Sequence, residues 1–227
     1  LEEYVGDRTK KSELFEEFAR VGKALGNGKR LELLDLLTQG ERSVETLAAA
    51  AGLGLSTASA HLQALRQAGL VTTRRDGNRI HYDLAGPDIL RLYSLLRSVA
   101  QKYVTDVEPK RVAYLGLEGA RAKDEEVTRE DLIARVRAGT VTVLDVRPDE
   151  EYDAAHIPGA LSIPLEELRD RLSELPETGE IVAYCRGAYC VLAYEAVEVL
   201  RSAGRSASRL NEGMLEWRLR GLPVEAG

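Results

Sequence analysis

The sequence predicts an α+β chain of two domains. The N-terminal half is mainly helical and closed by a β-hairpin; the C-terminal half is α/β with a mostly parallel sheet. Three observations carry this. The chain has 227 residues, long for one small domain and comfortable for two. Helical spacing dominates the first hundred residues and is interrupted by two β-rich arms around Asp76-Gly77-Asn78, a strong hairpin signal. Beyond residue 128, apolar strands alternate with amphipathic helices, the order that builds parallel sheets. The expected domains are 1–105 and 125–227, joined by a partly docked linker at 106–124.

In "SELFEEFARVGKALG", Leu14, Phe15, Phe18, Val21 and Leu25 share a helix face, and Gly26 stops the helix. "KRLELLDLL" is a second short helix. Ser43 is an N-cap for "VETLAAAAG". "LSTASAHLQALRQAG" turns Leu55, Ala58, Leu62 and Leu65 inward, with Gly69 as C-cap. After the hairpin "LVTTRRDGNRIHYDL", a long helix carries an apolar stripe of Ile89, Leu92, Tyr93, Leu96, Val99 or Ala100, and Tyr103.

Pro109, Gly116 and Gly119 punctuate the linker, yet Val112, Tyr114, Leu115 and Leu117 are too apolar for a solvated tether. In the second half Thr128 caps "REDLIARVRAG", with Asp131 in the box position. "TVTVLDV", "ALSIP", "EIVAYC" and "ASRLN" read as strands. "LEELRDRLSEL", "AYCVLAYEAVEVLRSAG" and "MLEWRLRG" read as helices.

Composition narrows the function classes. No apolar run approaches the ~18 residues of a membrane span, and "LEEYVGDRTKKSELFEEF" has no signal-peptide apolar core. The expectation is a cytoplasmic protein with no membrane partner. That compartment disfavours a structural disulfide between Cys185 and Cys190, the only two cysteines. The net charge of −6 is uneven: residues 1–105 hold 15 Lys+Arg against 13 Asp+Glu, and the remainder holds 16 against 24. Only the first half suits an approach to nucleic acid.

A helix, a turn, a second helix and a basic hairpin form a DNA-reading pattern. A helix entering the major groove needs small polar residues near its start. Ser56, Thr57, Ser59, His61 and Gln63 supply them. Arg66, Arg74, Arg75 and Arg79 against Asp76 leave +3 across residues 66–79, which suits phosphate contact. Over residues 12–105, "ALGNGKRLELLDLL", "LSTASAHLQALRQAGLV" and "RRDGNRIHYDL" resemble the ArsR family of winged helix-turn-helix repressors. The resemblance implies a homodimer, packed through the first and last helices of the domain, on palindromic double-stranded operator DNA. "RSVETLA" lacks the Cys-x-Cys metal site of many relatives, and "DILRLYSLLRSVAQ" lacks the histidine of others. Ala60 stands where a basic residue is common. No metal and no cofactor are expected. The competing reading is a protein-contact fold with a solvated arginine face.

In "IVAYCRGAYCVLAYEAVEVL", Cys185 ends a buried strand just before a helix. Loop N–H groups and the helix's positive end converge there, so the expectation is a Cys185 with a lowered pKa, acting as nucleophile. Arg186 adds positive charge. "VLDVRPDEEYDAAHIPGALSIPLEEL", "IVAYCRGAYC" and "LNEGMLEWRLRGLPVE" resemble a rhodanese (sulfurtransferase) domain over residues 125–227. The resemblance implies that Cys185 carries sulfane sulfur as a persulfide, taken from a sulfur donor and passed to a thiol or cyanide-like acceptor. It makes Arg186, Gly187, Ala188, Tyr189 and Cys190 the anion-cradling loop, Asp145 and Arg147 a supporting charged pair, and His156 a structural residue. The related phosphatases and arsenate reductases use Cys-x5-Arg, but Val191 occupies that arginine's position, so those activities are excluded. Cys190 is open to two readings: a weak donor to the persulfide, or a resolving thiol that expels sulfide and bridges to Cys185. A zinc site lacks clustered ligands; an inert core thiol is the remaining alternative.

Two functions follow. One is a sulfur- or redox-responsive transcriptional regulator. The other is a thiosulfate or polysulfide sulfurtransferase whose N-terminal domain serves dimerisation or independent repression.

Overall fold

The structure is a computed structural model and describes residues 7–117 and 126–227. It divides into two compact units, Leu1–Ser94 and Leu95–Gly227.

The first unit opens with helix α1 (Arg8–Leu25), capped by Asp7, whose carboxylate accepts from Thr9 N at 3.0 Å. Helix α2 (Gly28–Leu37) is capped by Asn27. Strand β1 (Arg42–Ser43) leads into α3 (Val44–Ala50), with Ser43 Oγ accepting from Thr46 N at 3.2 Å. Helix α4 (Leu55–Gln67) ends at Gly69, whose φ of +75° is the left-handed geometry of a helix stop. Strands β2 (Val71–Asp76) and β3 (Arg79–Leu84) meet at a two-residue turn with Gly77 at φ +57°. The antiparallel sheet runs β1-β3-β2. Helix α5 (Pro87–Tyr103) follows.

Leu33, Leu34 and Leu37 of α2, Leu47 of α3, and Ala58, Leu62 and Leu65 of α4 form the buried centre, each leucine contributing about 1.5–3 kcal/mol. Leu55 departs from the expected inward set, being 52% exposed. It is the first residue of α4 and projects before the packing begins. The α5 stripe is also mixed. Tyr93 is buried, Ile89, Leu92 and Leu96 are half-buried, and Val99 and Tyr103 are exposed.

The second unit contains a helix where a linker was expected, α6 (Val107–Leu115), with Leu115 fully buried. Pro109 is tolerated because it lies in the helix's first turn, where N–H groups have no intrahelical partner. The part of the expected linker at 118–124 lies outside the described residues. Then come β4 (Glu126–Val127), α7 (Arg129–Arg137), β5 (Val141–Asp145), α8 (Asp149–Ala154), β6 (Leu161–Ser162), β7 (Glu180–Tyr184), α9 (Leu192–Ser202), β8 (Ser206–Leu210) and α10 (Met214–Leu219). The five strands are parallel in the order β4-β8-β7-β5-β6.

Central strand β7 is apolar on both faces, as a buried parallel strand must be. Ile181 and Ala183 pack with α9 in one core; Val182 and Tyr184 pack with Leu132, Met214 and Trp217 in the other. "LEELRDRLSEL" is not the expected helix. It forms turns and one 3-10 turn at Leu172–Glu174. Its backbone closes mainly i to i+3, as in Leu168 N to Leu165 O. Burial of Leu168 and Leu175 fixes its path.

Candidate functional site

The site of the second unit forms where β5 and β7 end side by side, Asp145 opposite Tyr184. In parallel sheets the carboxyl ends of the strands are where ligands bind. Cys185 follows β7 directly, and the loop 185–190 delivers the chain to α9. The backbone N–H groups of Gly187 and Ala193 face the Cys185 sulfur. Those of Arg186 and Leu192 face Cys190. The Leu192 and Ala193 amides belong to the first turn of α9, whose N–H groups lack intrahelical partners. Both thiols are buried and free. Cys185 Sγ donates to the Cys190 carbonyl at 3.5 Å.

The expected lowering of Cys185 is reversed. Burial pushes the Cys185 thiol well up and Cys190 adds to this, outweighing the Gly187 and Ala193 amides. Cys190 goes the other way. The hydrogen bond from Cys185 lowers it against burial, and Arg186 assists. The two thiols are thus pushed in opposite directions, Cys185 up and Cys190 down. The loop is enclosed so fully that burial outweighs the amides at Cys185.

Arg186 is committed elsewhere. Its guanidinium forks onto Glu151 at 2.9 and 2.6 Å, and that carboxylate is 1% exposed. Glu151, on α8, was absent from the sequence-derived set. Asp145 and Arg147 do pair, both fully buried, with Arg147 Nε and Nη2 donating to Asp145 at 2.9 and 2.6 Å. Burial pulls the Arg147 guanidinium down and the Asp145 pair outweighs it, so its charge is retained. Tyr184 Oη donates to Asp145 Oδ2 at 2.5 Å and accepts from Ile157 N at 3.1 Å. Burial pushes Tyr184 up, and the Asp145 charge adds to it. His156 stacks on Tyr152 with ring centres 3.7 Å apart, and its Nδ1 meets Tyr152 O at 2.9 Å; these are packing contacts.

The N-terminus of α10 closes the loop from behind. Met214 N donates to Cys185 O and Leu215 N to Arg186 O, both at 3.0 Å. A Cβ on Gly213 would lie 2.4 Å from both Cys185 O and Gly187 N, so only glycine fits. A Cβ on Gly187 would meet Glu216 Oε2 at 2.9 Å. Ala188 and Tyr189 form the loop's partly exposed tip. A cavity of about 330 Å³ opens beside the loop, lined by Val146, Pro148, Leu165, Glu166, Arg186 and Leu192. Among the described residues no group of three or more His, Cys, Asp or Glu could hold a metal.

The first unit presents its expected set on α4 and the hairpin. Ser56 and Thr57 are exposed at the start of α4; Ser59, His61 and Gln63 are half-buried. Gln63 Nε2 lies 3.5 Å from Tyr82 Oη, on the hairpin side. Arg75 and Arg79 are exposed. Arg74 is held by Glu41, with Nε at 3.0 Å and Nη2 at 2.5 Å. That pairing lowers Glu41, the Arg74 hydrogen bond being the main cause, and it removes one cation from the hairpin's expected +3.

A helix-turn-helix with a β-hairpin wing, followed by a parallel sheet bearing a cysteine loop, defines a winged-helix regulator carrying a rhodanese-like domain. The chain belongs to the arsR family of bacterial regulatory proteins, which matches residues 27–73, and its rhodanese-like domain matches residues 128–220. It is 53% identical over 222 residues, 98% of this chain and 96% of the relative, to the HTH-type transcriptional regulator Rv0324 of Mycobacterium tuberculosis. Over 103 residues, 44% of this chain and 94% of the relative, it is 31% identical to a sulfurtransferase of Allochromatium vinosum. A solved homodimeric winged helix-turn-helix DNA-binding domain from Mycobacterium bovis, a possible ArsR-family regulator, is 51% identical. It covers 45% of this chain and 94% of its own, with a TM-score of 0.42. Among the described residues no helix is long and apolar enough to cross a membrane.

Proposed function

We propose that this regulator binds operator DNA as a homodimer and that its second unit carries sulfane sulfur on Cys185, whose state sets operator affinity. The observation that carries the reading is the loop: two buried free thiols, each facing two backbone N–H groups. The homodimer of the M. bovis domain and the apolar side chains exposed on α1 (Leu14, Phe15, Phe18) and α5 (Leu95, Val99, Tyr103) support self-association. Ser56, Thr57, Ser59, His61 and Gln63 would read bases, and Arg75 and Arg79, with Arg74 once it leaves Glu41, would contact phosphates.

In the sulfur step, the Cys190 thiolate takes the Cys185 proton. The Cys185 thiolate then attacks the outer sulfur of a polysulfide or thiosulfate donor. A Cys185 S–S bond forms, and the donor's own S–S bond breaks with its electron pair leaving on the donor fragment. Arg186, Gly187, Ala188 and Tyr189 frame this persulfide, and Asp145 with Arg147 stiffen the strand end beneath it. Cys190 can then attack Cys185 Sγ, forming the Cys185–Cys190 disulfide and expelling hydrosulfide.

The test is titration of selected operator DNA with wild type, Cys185→Ser and Cys190→Ser, with and without polysulfide, alongside mass spectrometry of the loop peptide. The expected result is an operator affinity that changes with polysulfide in wild type and not in Cys185→Ser. Identical affinity for treated and untreated wild type would sink the sensing role.

The cavity of about 330 Å³ beside Arg186 favours a second reading, in which the domain turns over sulfur as an enzyme independently of DNA. In that case sulfur transfer to cyanide disappears in Cys185→Ser while DNA binding is untouched.

A further inference from the structure

Among the charged side chains near the loop, Arg97 has no part in the sulfur chemistry. It lies on the C-terminal half of α5, inside the second unit, which begins at Leu95. Its guanidinium sits 4.3 Å above the centre of the Tyr189 ring, and its Nη2 lies 3.7 Å from Glu216 Oε1. Both partners belong to the loop's support. Tyr189 is in the loop itself. The other oxygen of Glu216 accepts from Gly213 N at 3.0 Å and fills the space beside Gly187. Arg97 is 15% and Glu216 21% exposed at the side chain, so water screens this cluster only partly.

The same helix is anchored at its other end. Tyr93, one turn before Arg97, is buried, and its hydroxyl donates to Asp35 of α2 at 2.9 Å. Helix α5 thus carries both a residue bonded to α2 and a residue stacked on the sulfur loop. Arg111 of α6, paired with Glu108, also lies within electrostatic reach of Tyr189.

We propose that Arg97 is a positioning residue that couples the state of the 185–190 loop to helix α5. An added sulfur on Cys185, or closure of the Cys185–Cys190 disulfide, must be accommodated by a loop fixed at Cys185, Arg186 and Gly187 by α10. The half-buried Tyr189 is the part with room to move. Its displacement removes the ring face from Arg97, and the planar guanidinium loses a stack that a lysine could not replace. The perturbation enters α5 one turn from Tyr93, so α2 and α5 are biased by the loop's state. By linkage, anything that α5 and α2 feel on DNA binding alters the loop in return.

This inference rests on the sulfur-carrying reading for its physiological use, and its mechanical core is testable without it. Amide hydrogen exchange is measured on the full chain for wild type, Tyr189→Leu, Arg97→Gln and Arg97→Lys. Tyr189→Leu is expected to speed exchange in the peptide spanning 95–103, and Arg97→Gln to speed it in 186–192, each by roughly fivefold or more. Arg97→Lys falls between. Exchange in β2 and β4, which hold no residue of the cluster, serves as the control for general destabilisation. Unchanged exchange in the partner element, or equal acceleration in the control strands, overturns the coupling.

Operator titration of wild type and Arg97→Gln, with and without polysulfide, completes the test. The expected outcome is a polysulfide response in wild type only, with the same loop adduct in both. A response retained in Arg97→Gln overturns the coupling. Loss of the wild-type adduct or response overturns the sulfur reading alone, and the exchange result still decides the coupling.

Discussion

Gly213→Ala is the sharpest probe of how the loop is held. The glycine has φ −146° and ψ −163°, extended values open to any residue, so alanine costs nothing in backbone strain. Its cost is steric. The new Cβ would stand 2.4 Å from Cys185 O and Gly187 N and 2.6 Å from Gly187 Cα. Ordinary contact begins near 3.4 Å, so loop and α10 must separate by about 1 Å. All three neighbours are backbone atoms and cannot rotate away. Overpacking of this kind costs about 1–3 kcal/mol, and in a unit of this size each 1 kcal/mol lowers the melting temperature by roughly 3–5 °C. The separation also stretches the Met214 and Leu215 bonds that fix the loop carbonyls. A displacement of about 1 Å at a reacting group can cost about 100-fold in rate. The assay pairs the melting transition of the second unit with the rate at which polysulfide modifies Cys185, read by mass spectrometry. Gly187→Ala is the comparison. Its Cβ meets only the flexible end of Glu216 at 2.9 Å, so its effects should be smaller on both measures. A Gly213→Ala protein with wild-type melting and wild-type loop reactivity would refute the reasoning.

Other perturbations follow from the same geometry. Tyr184→Phe removes the hydroxyl shared by Asp145 and Ile157 N. It leaves a buried donor and a carboxylate lone pair unmet, and urea unfolding should register a loss of about 1–3 kcal/mol. Glu216 gives a pH dependence. Burial raises its pKa above 4.5, with Arg97 opposing, so the folded state holds a proton that the unfolded chain has released. The stability this contributes is fully present below pH 4.5 and is lost as pH rises through the raised value. Chemical unfolding across that window should show wild type declining relative to Glu216→Gln; parallel curves would contradict it. At the wing, Glu41→Gln frees Arg74, so DNA affinity should rise and the slope against log salt should steepen by about one ion. An unchanged slope would show that Arg74 contacts no phosphate.

The fold was legible where local chemistry and burial agree. Ser43 and Thr128 cap helices with their side chains, and the helix stop at Gly69 and the turn at Gly77 need the positive φ that glycine supplies. The strand alternation fixed the parallel sheet because Ile181, Val182, Ala183 and Tyr184 are apolar on both faces. Legibility failed where tertiary contacts override pattern. The 165–175 segment has helical spacing, yet Leu168 and Leu175 are drawn into the core along a path that a regular helix does not follow. α6 was hidden by Pro109 and the charge around it. At the site, Asp145 pairs with Arg147, and Cys185 directly follows Tyr184, the residue opposite Asp145. Glu151 is one of four acids in "DEEYDA", and only the structure shows it turned inward beneath Arg186. Gly213 and Glu216 lay inside a recognisable motif, but nothing in their spacing tied them to residue 187.

On the proposed sulfur reading, the charge arrangement gives a reason for this loop to hold sulfur rather than an oxyanion. Each arginine near it already faces a carboxylate: Arg147 Asp145, Arg186 Glu151, and Arg97 Glu216. Among these none is positioned as a free clamp, and Val191 stands where a phosphatase would place one. What remains to meet a negative charge is backbone N–H, two groups at each sulfur, in an enclosed site where a second full charge is costly. Such a site favours one negative charge shared across two sulfurs. That is the charge of one thiolate beside one thiol, or of a single persulfide, and it is half that of a bound phosphate dianion. The raised Cys185 and lowered Cys190 are the same fact seen from each sulfur. Burial raises Cys185 while the hydrogen bond from Cys185 lowers Cys190, so the loop favours charge on one sulfur at a time.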